Sequence, residues 1–361
     1  MIYLDNNATT GLDPEVFAAM YGPLQGVPCN PSSLHFYGRQ AKEALTEARK
    51  SIADYLKVSP ETIVFTSGGT EGINMAIRGM LGPKPSGHIV SSNLEHSSVY
   101  ETIRAMVDMG CTADFTFSNI PDHTKLIALS WVNSETGEKR DIAAIGETAK
   151  KREIPLVIDA IALMGKEEIS IPDGVSAAVF SAHKFHGPKG VGFVYIEKGQ
   201  KWEPYLTGGG QEYARRSGTE NLEGIIGCAK AVELLQKYLP QKSYEMKQLR
   251  DHLETSLIRQ LQGVAINGKE PRVVNTCNLY FEGVDGEELL YHLDKKKVAA
   301  SHGSACASGS IEPSRVLIHM GLGRKRARSS VRFSLSRRTT KEEIDQAICI
   351  LTDLVTKLRK M

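Results

Sequence analysis

The chain has 361 residues, 41% hydrophobic and 24% charged, the composition of a folded, water-soluble protein and not of a disordered or membrane-embedded one. Lys and Arg number 44 against 42 Asp and Glu, so a formal charge of +2 gives no support to nucleic acid or another polyanion as partner. The N-terminus, Met-Ile-Tyr-Leu-Asp-Asn-Asn, has no basic segment followed by an apolar core, and no apolar run reaches membrane-spanning length, so a cytoplasmic protein without a membrane partner is expected.

Residues 38–56 carry apolar side chains at helical spacing with charges opposite them. Strand-like runs follow at 62–66, 88–92, 126–131, 156–159, 178–181 and 192–196, alternating with helical segments, which predicts a mainly parallel sheet between helices. After the glycines at 208–210 the composition changes. A helix is expected over 223–238, Pro240 ends or interrupts it, and the pattern resumes over 244–261. Strands at 276–281, 298–301 and 330–335 mix with helices at 286–295 and 341–360. The expected architecture is α/β, with a large domain over 13–235 and a smaller α+β domain from 1–12 and 236–361.

The most informative stretch is 177–190, in which Lys184 follows an apolar run and precedes a Gly-Pro turn; the run at 154–158 delivers Asp159 where a strand should end. Pyridoxal phosphate needs both groups: an amine for its aldehyde, and a carboxylate that keeps its ring nitrogen protonated. Thr66-Ser-Gly-Gly-Thr-Glu follows a strand and opens a helix, placing backbone amides and the hydroxyls of Ser67 and Thr70 as a phosphate cradle, or else as an ordinary capped glycine turn. His96 comes at the end of the next strand, suited to stacking on a ring and exchanging protons. Ser181 and His183, two apart on an extended segment, face one way and are expected to reach a phosphate. Thr219, in Arg215-Arg-Ser-Gly-Thr, is a further phosphate donor, and its neighbouring arginines read equally well as surface charges.

Cys306 lies among small residues in Gly-Ser-Ala-Cys-Ala-Ser-Gly, a setting for a thiol that must reach a substrate and leave again. The cysteines at 29, 111, 228, 277 and 349 show no CxxC pairing; they are expected to be mostly buried small hydrophobes, without a disulfide framework or a metal site. The basic cluster at 324–328 reads as a solvated loop, with docking of an acidic protein as the alternative.

Taken together, Tyr3-Leu-Asp-Asn-Asn-Ala-Thr-Thr, Asn30-Pro-Ser-Ser-Leu-His, the 66–71 cradle, Glu95-His96, Asp159, Ser181-Ala-His-Lys184, Arg216-Ser-Gly-Thr219, Gly303-Ser-Ala-Cys306 and Ser330-Val-Arg-Phe-Ser resemble the cysteine desulfurases of the NifS and IscS type, within the class V aminotransferases. The resemblance implies the fold type I of pyridoxal 5'-phosphate enzymes and conversion of L-cysteine to L-alanine. It assigns Lys184 as covalent cofactor anchor and proton carrier, Asp159 as ring-nitrogen partner and His96 as ring-stacking acid or base. Gly69, Thr70, Ser181 and His183 become phosphate contacts, with Thr219 reaching in from a second subunit of a homodimer. Arg332 would bind the substrate carboxylate, and Cys306 would accept the sulfur as a persulfide for an acceptor protein, an iron-sulfur scaffold or another carrier.

Three features depart from the family pattern. Ser134 stands where an asparagine would contact cofactor or substrate, Ala162 stands where a glutamine would contact the ring hydroxyl, and the connection 111–126 is shortened. These departures keep two alternatives open: a lyase preferring selenocysteine or cysteine sulfinate, and a weakly active interaction scaffold.

Overall fold

The computed structural model describes residues 1–27, 29–303 and 313–360. In chain order its elements begin with β1 (Ile2–Tyr3), α1 (Pro14–Gln25), α2 (Phe36–Leu56), β2 (Ile63–Thr66), α3 (Gly69–Leu81), β3 (His88–Val90), α4 (Ser97–Asp108), β4 (Thr112–Asp114) and β5 (Thr124–Ser130). They continue with α5 (Ile142–Lys151), β6 (Leu156–Asp159), β7 (Ala177–Ser181), β8 (Gly192–Ile196), α6 (Gln211–Ala214) and α7 (Leu222–Gln260). The last are β9 (Val264–Ile266), β10 (Thr276–Phe281), α8 (Gly286–Lys295), β11 (Val298–Ala299), α9 (Arg315–His319), α10 (Gly323–Arg328), β12 (Ser330–Ser334) and α11 (Lys341–Leu358). The chain divides into two compact units, one of Gly11–Trp131 with Arg140–Tyr238, the other of Met1–Thr10, Val132–Lys139 and Leu239–Met361.

The larger unit is built on a seven-stranded sheet in the order β2-β8-β7-β6-β5-β3-β4. Its strands run parallel except β8, which is antiparallel to both neighbours, β2 and β7. β6 and β7 are fully buried and β5 is buried except at Lys125, apolar runs such as a sheet covered on both faces requires. β4 forms the edge after β3, and only residues 115–123 link it to β5, in keeping with the shortened connection.

In the smaller unit β10 lies between β12 and β9, antiparallel to both, and β1 pairs in parallel with β11. Leu279, Phe281, Val331 and Phe333 of this sheet pack with Leu289 and Leu293 of α8 and Leu351 and Val355 of α11 into one buried cluster.

Two local expectations are corrected. α7 does not stop at Pro240; one helix runs from Leu222 to Gln260. A proline inside a helix costs about 3 kcal/mol, and burial of Leu234, Leu235, Leu239, Met246, Leu253 and Leu257 along the helix offsets it. The basic cluster is helical, not a loop: it forms α10, and Arg326 donates to Asn267 Oδ1 at 2.7 Å and to the Ile266 carbonyl at 3.0 Å. Among the cysteines, Cys111, Cys228 and Cys277 are buried as expected, whereas Cys29 and Cys349 are exposed.

Candidate active site

β6 and β7 are hydrogen-bonded neighbours, and both end at the same edge of the sheet, Asp159 standing in register with Val179. Asp159 is buried and its Oδ1 accepts from the Ile161 amide at 3.0 Å. Burial pushes its carboxyl up to about 6, against the opposing pull of the Ile161 amide and of the Lys184 ammonium. The structure therefore brings together the carboxylate and amine that the sequence placed 25 residues apart. Lys184 closes a 3-10 turn, Ala182–Lys184, that begins directly after β7.

This turn corrects the placement of His183. Ser181 is the last strand residue and is buried, but His183 sits in the turn and not on an extended segment, so the alternation argument that paired the two does not apply. Burial, then the positive charges of Lys184, Lys189 and Lys166, push the His183 imidazole down to about 4, which leaves it neutral at pH 7.

The loop before α3 approaches the same region. A Cβ at Gly69 would lie 2.2 Å from Ile161 Cδ1 and 3.7 Å from Ser181 Cβ, so a larger residue here would require the end of the Ile161 side chain to move. Thr70 is exposed in the first turn of α3. The Ser67 amide is already bonded to Glu71 Oε2 at 2.8 Å, and Glu71 is held by Arg216, whose Nε and Nη2 reach its two oxygens at 2.8 and 3.2 Å. Arg216 is therefore not a free surface charge. Thr219 is exposed and shares a pocket lining with Ser67, Thr66 and Arg216, a lining that includes neither Asp159 nor Lys184.

His96 lies beyond the end of its strand, at the N-cap of α4, where Nδ1 accepts from the Ser98 amide at 3.1 Å. That bond leaves the ring proton of a neutral His96 on Nε2. The preceding Glu95 is fully buried; it is bonded to the amide and hydroxyl of Ser130 and paired with Arg140 at 2.9 Å. Burial raises its pKa. Sequence reasoning gave Glu95 no separate part, although a Glu directly before a candidate acid-base histidine is a readable signal.

In the smaller unit Arg332 is buried at 1% exposure. Its Nη2 pairs with Asp5 Oδ1 at 2.9 Å, and Nη1 donates to the carbonyl of Ser134 at 3.1 Å. Ser134 thus meets Arg332 through its backbone. Arg332 Nε is buried without a hydrogen-bond partner among the described residues. Glu135, also buried, accepts from Ser314 Oγ at 2.5 Å. Cys306 lies outside the described residues. Burial raises the thiols of Cys111, Cys228 and Cys277, which makes them poor nucleophiles.

A parallel sheet ending in a buried carboxylate beside a lysine, with a glycine-opened helix next to them, is the framework of a pyridoxal-phosphate enzyme. The chain belongs to the class-V aminotransferase family, whose model matches residues 2–347. Within that family its similarity is to cysteine desulfurases. A cysteine desulfurase of Trichormus azollae is 38% identical over 377 residues, covering 100% of this chain and 94% of that protein. Among solved structures, a NifS-like protein is 31% identical and superposes with a TM-score of 0.90 over 99% of both chains. The protein SspA, solved in complex with cysteine, is 29% identical with a TM-score of 0.82, over 94% of this chain and 100% of that one.

Proposed function

We propose that the chain is a pyridoxal-phosphate-dependent cysteine desulfurase that converts L-cysteine to L-alanine and takes the sulfur onto Cys306 as a persulfide. The observation that carries this reading is the buried Asp159 carboxyl under the influence of Lys184, at the ends of adjacent strands. The reading is supported by the start of α3 at Gly69 lying beside Ser181, where backbone amides at a helix N-terminus would receive a phosphate. When bound, pyridoxal phosphate supplies an electron-accepting ring that stabilises the carbanion left by loss of the substrate α-proton.

The chain's own residues supply the rest. Lys184 Nζ holds the cofactor and moves the α-proton. Asp159 keeps a proton on the ring nitrogen; pairing with that cation returns its carboxyl toward the ionised form. His96 offers its ring face for stacking and its Nε2 for proton exchange. Ser181, neutral His183, Gly69 and Thr70 take the phosphate, and Thr219 serves the phosphate of a partner subunit. Arg332 binds the substrate carboxylate, with Ser134 alongside. The substrate carbon–sulfur bond breaks and the sulfur joins Cys306 Sγ, so that one cysteine and one thiol give one alanine and one persulfide, with no outside oxidant or reductant.

We read the protein as a cytoplasmic homodimer that passes its sulfur to an acceptor protein. Phe17, Tyr21 and Leu24 are exposed at helical spacing along α1, an apolar stripe that a second copy could cover. No helix among the described residues is long and apolar enough to cross a membrane. The test is conversion of L-cysteine by purified protein supplied with pyridoxal phosphate and a thiol reductant. Equal yields of alanine and sulfide, lost in Lys184→Ala, support the reading; a folded, cofactor-loaded protein that releases neither contradicts it.

A further inference from the structure

Lys166 ranks among the largest fully buried side chains, at 2% exposure, and the reaction described above gives it no part. Burying an ammonium is strongly unfavourable unless acceptors compensate. Here Nζ donates to the backbone carbonyl of Lys184 at 2.5 Å. The preceding residue, Gly165, has φ +81°, and a Cβ there would fall 2.4 Å from Phe185 Cβ. Two consecutive residues of one loop therefore rest on two consecutive residues of another, Gly165 on Phe185 and Lys166 on Lys184.

The two loops are those that carry the cofactor groups. Residues 160–166 leave β6 directly after Asp159, and the turn Ala182–Lys184 leaves β7. The Ala160 amide already donates to the Val179 carbonyl at 3.1 Å, so the Lys166 bond is a second tie between the segments, placed farther along both. We propose that Lys166 is a positioning residue: by holding the Lys184 carbonyl it fixes the turn from which the Lys184 amine meets the cofactor, and the separation of that amine from Asp159.

The inference rests on Lys184 being the cofactor anchor, and the test separates the two. Cofactor-free wild type and Lys166→Met are mixed with pyridoxal phosphate, total bound cofactor is measured, and borohydride is added at intervals to make the carbon–nitrogen link permanent on the Lys184 peptide. Melting temperatures are recorded in parallel. Lys166→Met should bind cofactor yet become trappable on Lys184 about tenfold more slowly, the scale of one lost charge-assisted hydrogen bond. Trapping at the wild-type rate, whatever the melting temperature, overturns the proposal and leaves Lys166 a structural lysine. If Lys166→Met does not fold, Lys166→Gln carries the test under the same two outcomes. Wild type that is never trapped on Lys184 overturns the anchor assignment itself.

Discussion

The Arg332 guanidinium is held by the Asp5 carboxylate, Nη2 to Oδ1 at 2.9 Å, so one arm of the fork expected to grip substrate is already engaged. Nη1 is on the Ser134 carbonyl, while Nε is buried without a partner among the described residues. A substrate carboxylate would then be received at the Nε side of a guanidinium oriented by Asp5. Lysine keeps the charge but loses that geometry. Arg332→Lys should therefore raise KM for L-cysteine by about tenfold or more, with a smaller change in kcat. Steady-state kinetics with alanine as the measured product checks this.

Asp159 makes the cofactor-free protein less stable at neutral pH than it would be without the charge. Its carboxyl titrates at about 6 in the folded chain against 3.8 when unperturbed. Below the lower value the group is protonated in both states and contributes nothing. Between the two, the folded state holds a proton that the unfolded state has given up, so stability falls as pH rises, and above about 6 the full penalty is present. The difference corresponds to an upper limit of about 3 kcal/mol. Asp159→Asn, which can still accept the Ile161 amide, should be more stable than wild type at pH 7, equal to it near pH 4, and unable to turn over L-cysteine. Denaturant unfolding of both cofactor-free proteins across this range measures it.

Arg216 and Glu71 form a half-buried pair at the start of α3, with Glu71 also accepting the Ser67 amide. Removing the arginine leaves a carboxylate beside the amides proposed to hold phosphate. Arg216→Met should weaken cofactor binding by about tenfold at low salt and by less at high salt. Adding Glu71→Gln should restore most of the loss, because the uncompensated charge is gone. Cofactor titrations of the two single variants and the double variant check both effects.

How far the sequence disclosed this site depended on the kind of signal. Asp159 and Lys184 were legible because each follows a buried apolar run that only a covered strand explains, and both strands lie where those runs predict. β4 and β9, three residues each, were not: unlike the equally short β3, neither holds a buried side chain, so no strongly apolar run marks them. The course of α7 through Pro240 was missed because local propensity favours a break and only tertiary burial overrides it. Lys166 was invisible for a related reason. Most lysines are solvated, and nothing in Leu-Met-Gly-Lys signals that this ammonium is turned inward onto a carbonyl 18 residues away. Likewise the left-handed backbone at Glu212, Tyr213 and Ala214 leaves no trace in residue type, yet it brings the buried Glu212 into a pair with Arg49 at 2.6 Å.

The central claim is that the sulfur of L-cysteine arrives on Cys306, and mapping that sulfur tests it most directly. Cofactor-loaded protein is exposed briefly to sulfur-labelled L-cysteine without reductant, digested, and its cysteine peptides are weighed. The account predicts one reductant-sensitive sulfur on the Cys306 peptide with a matching quantity of alanine, and none on the buried Cys111, Cys228 or Cys277. Cys306→Ser should keep the cofactor trapped on Lys184 while carrying no labelled sulfur. Label found mainly on exposed Cys29 or Cys349, or alanine formed at the wild-type rate by Cys306→Ser, would contradict the account.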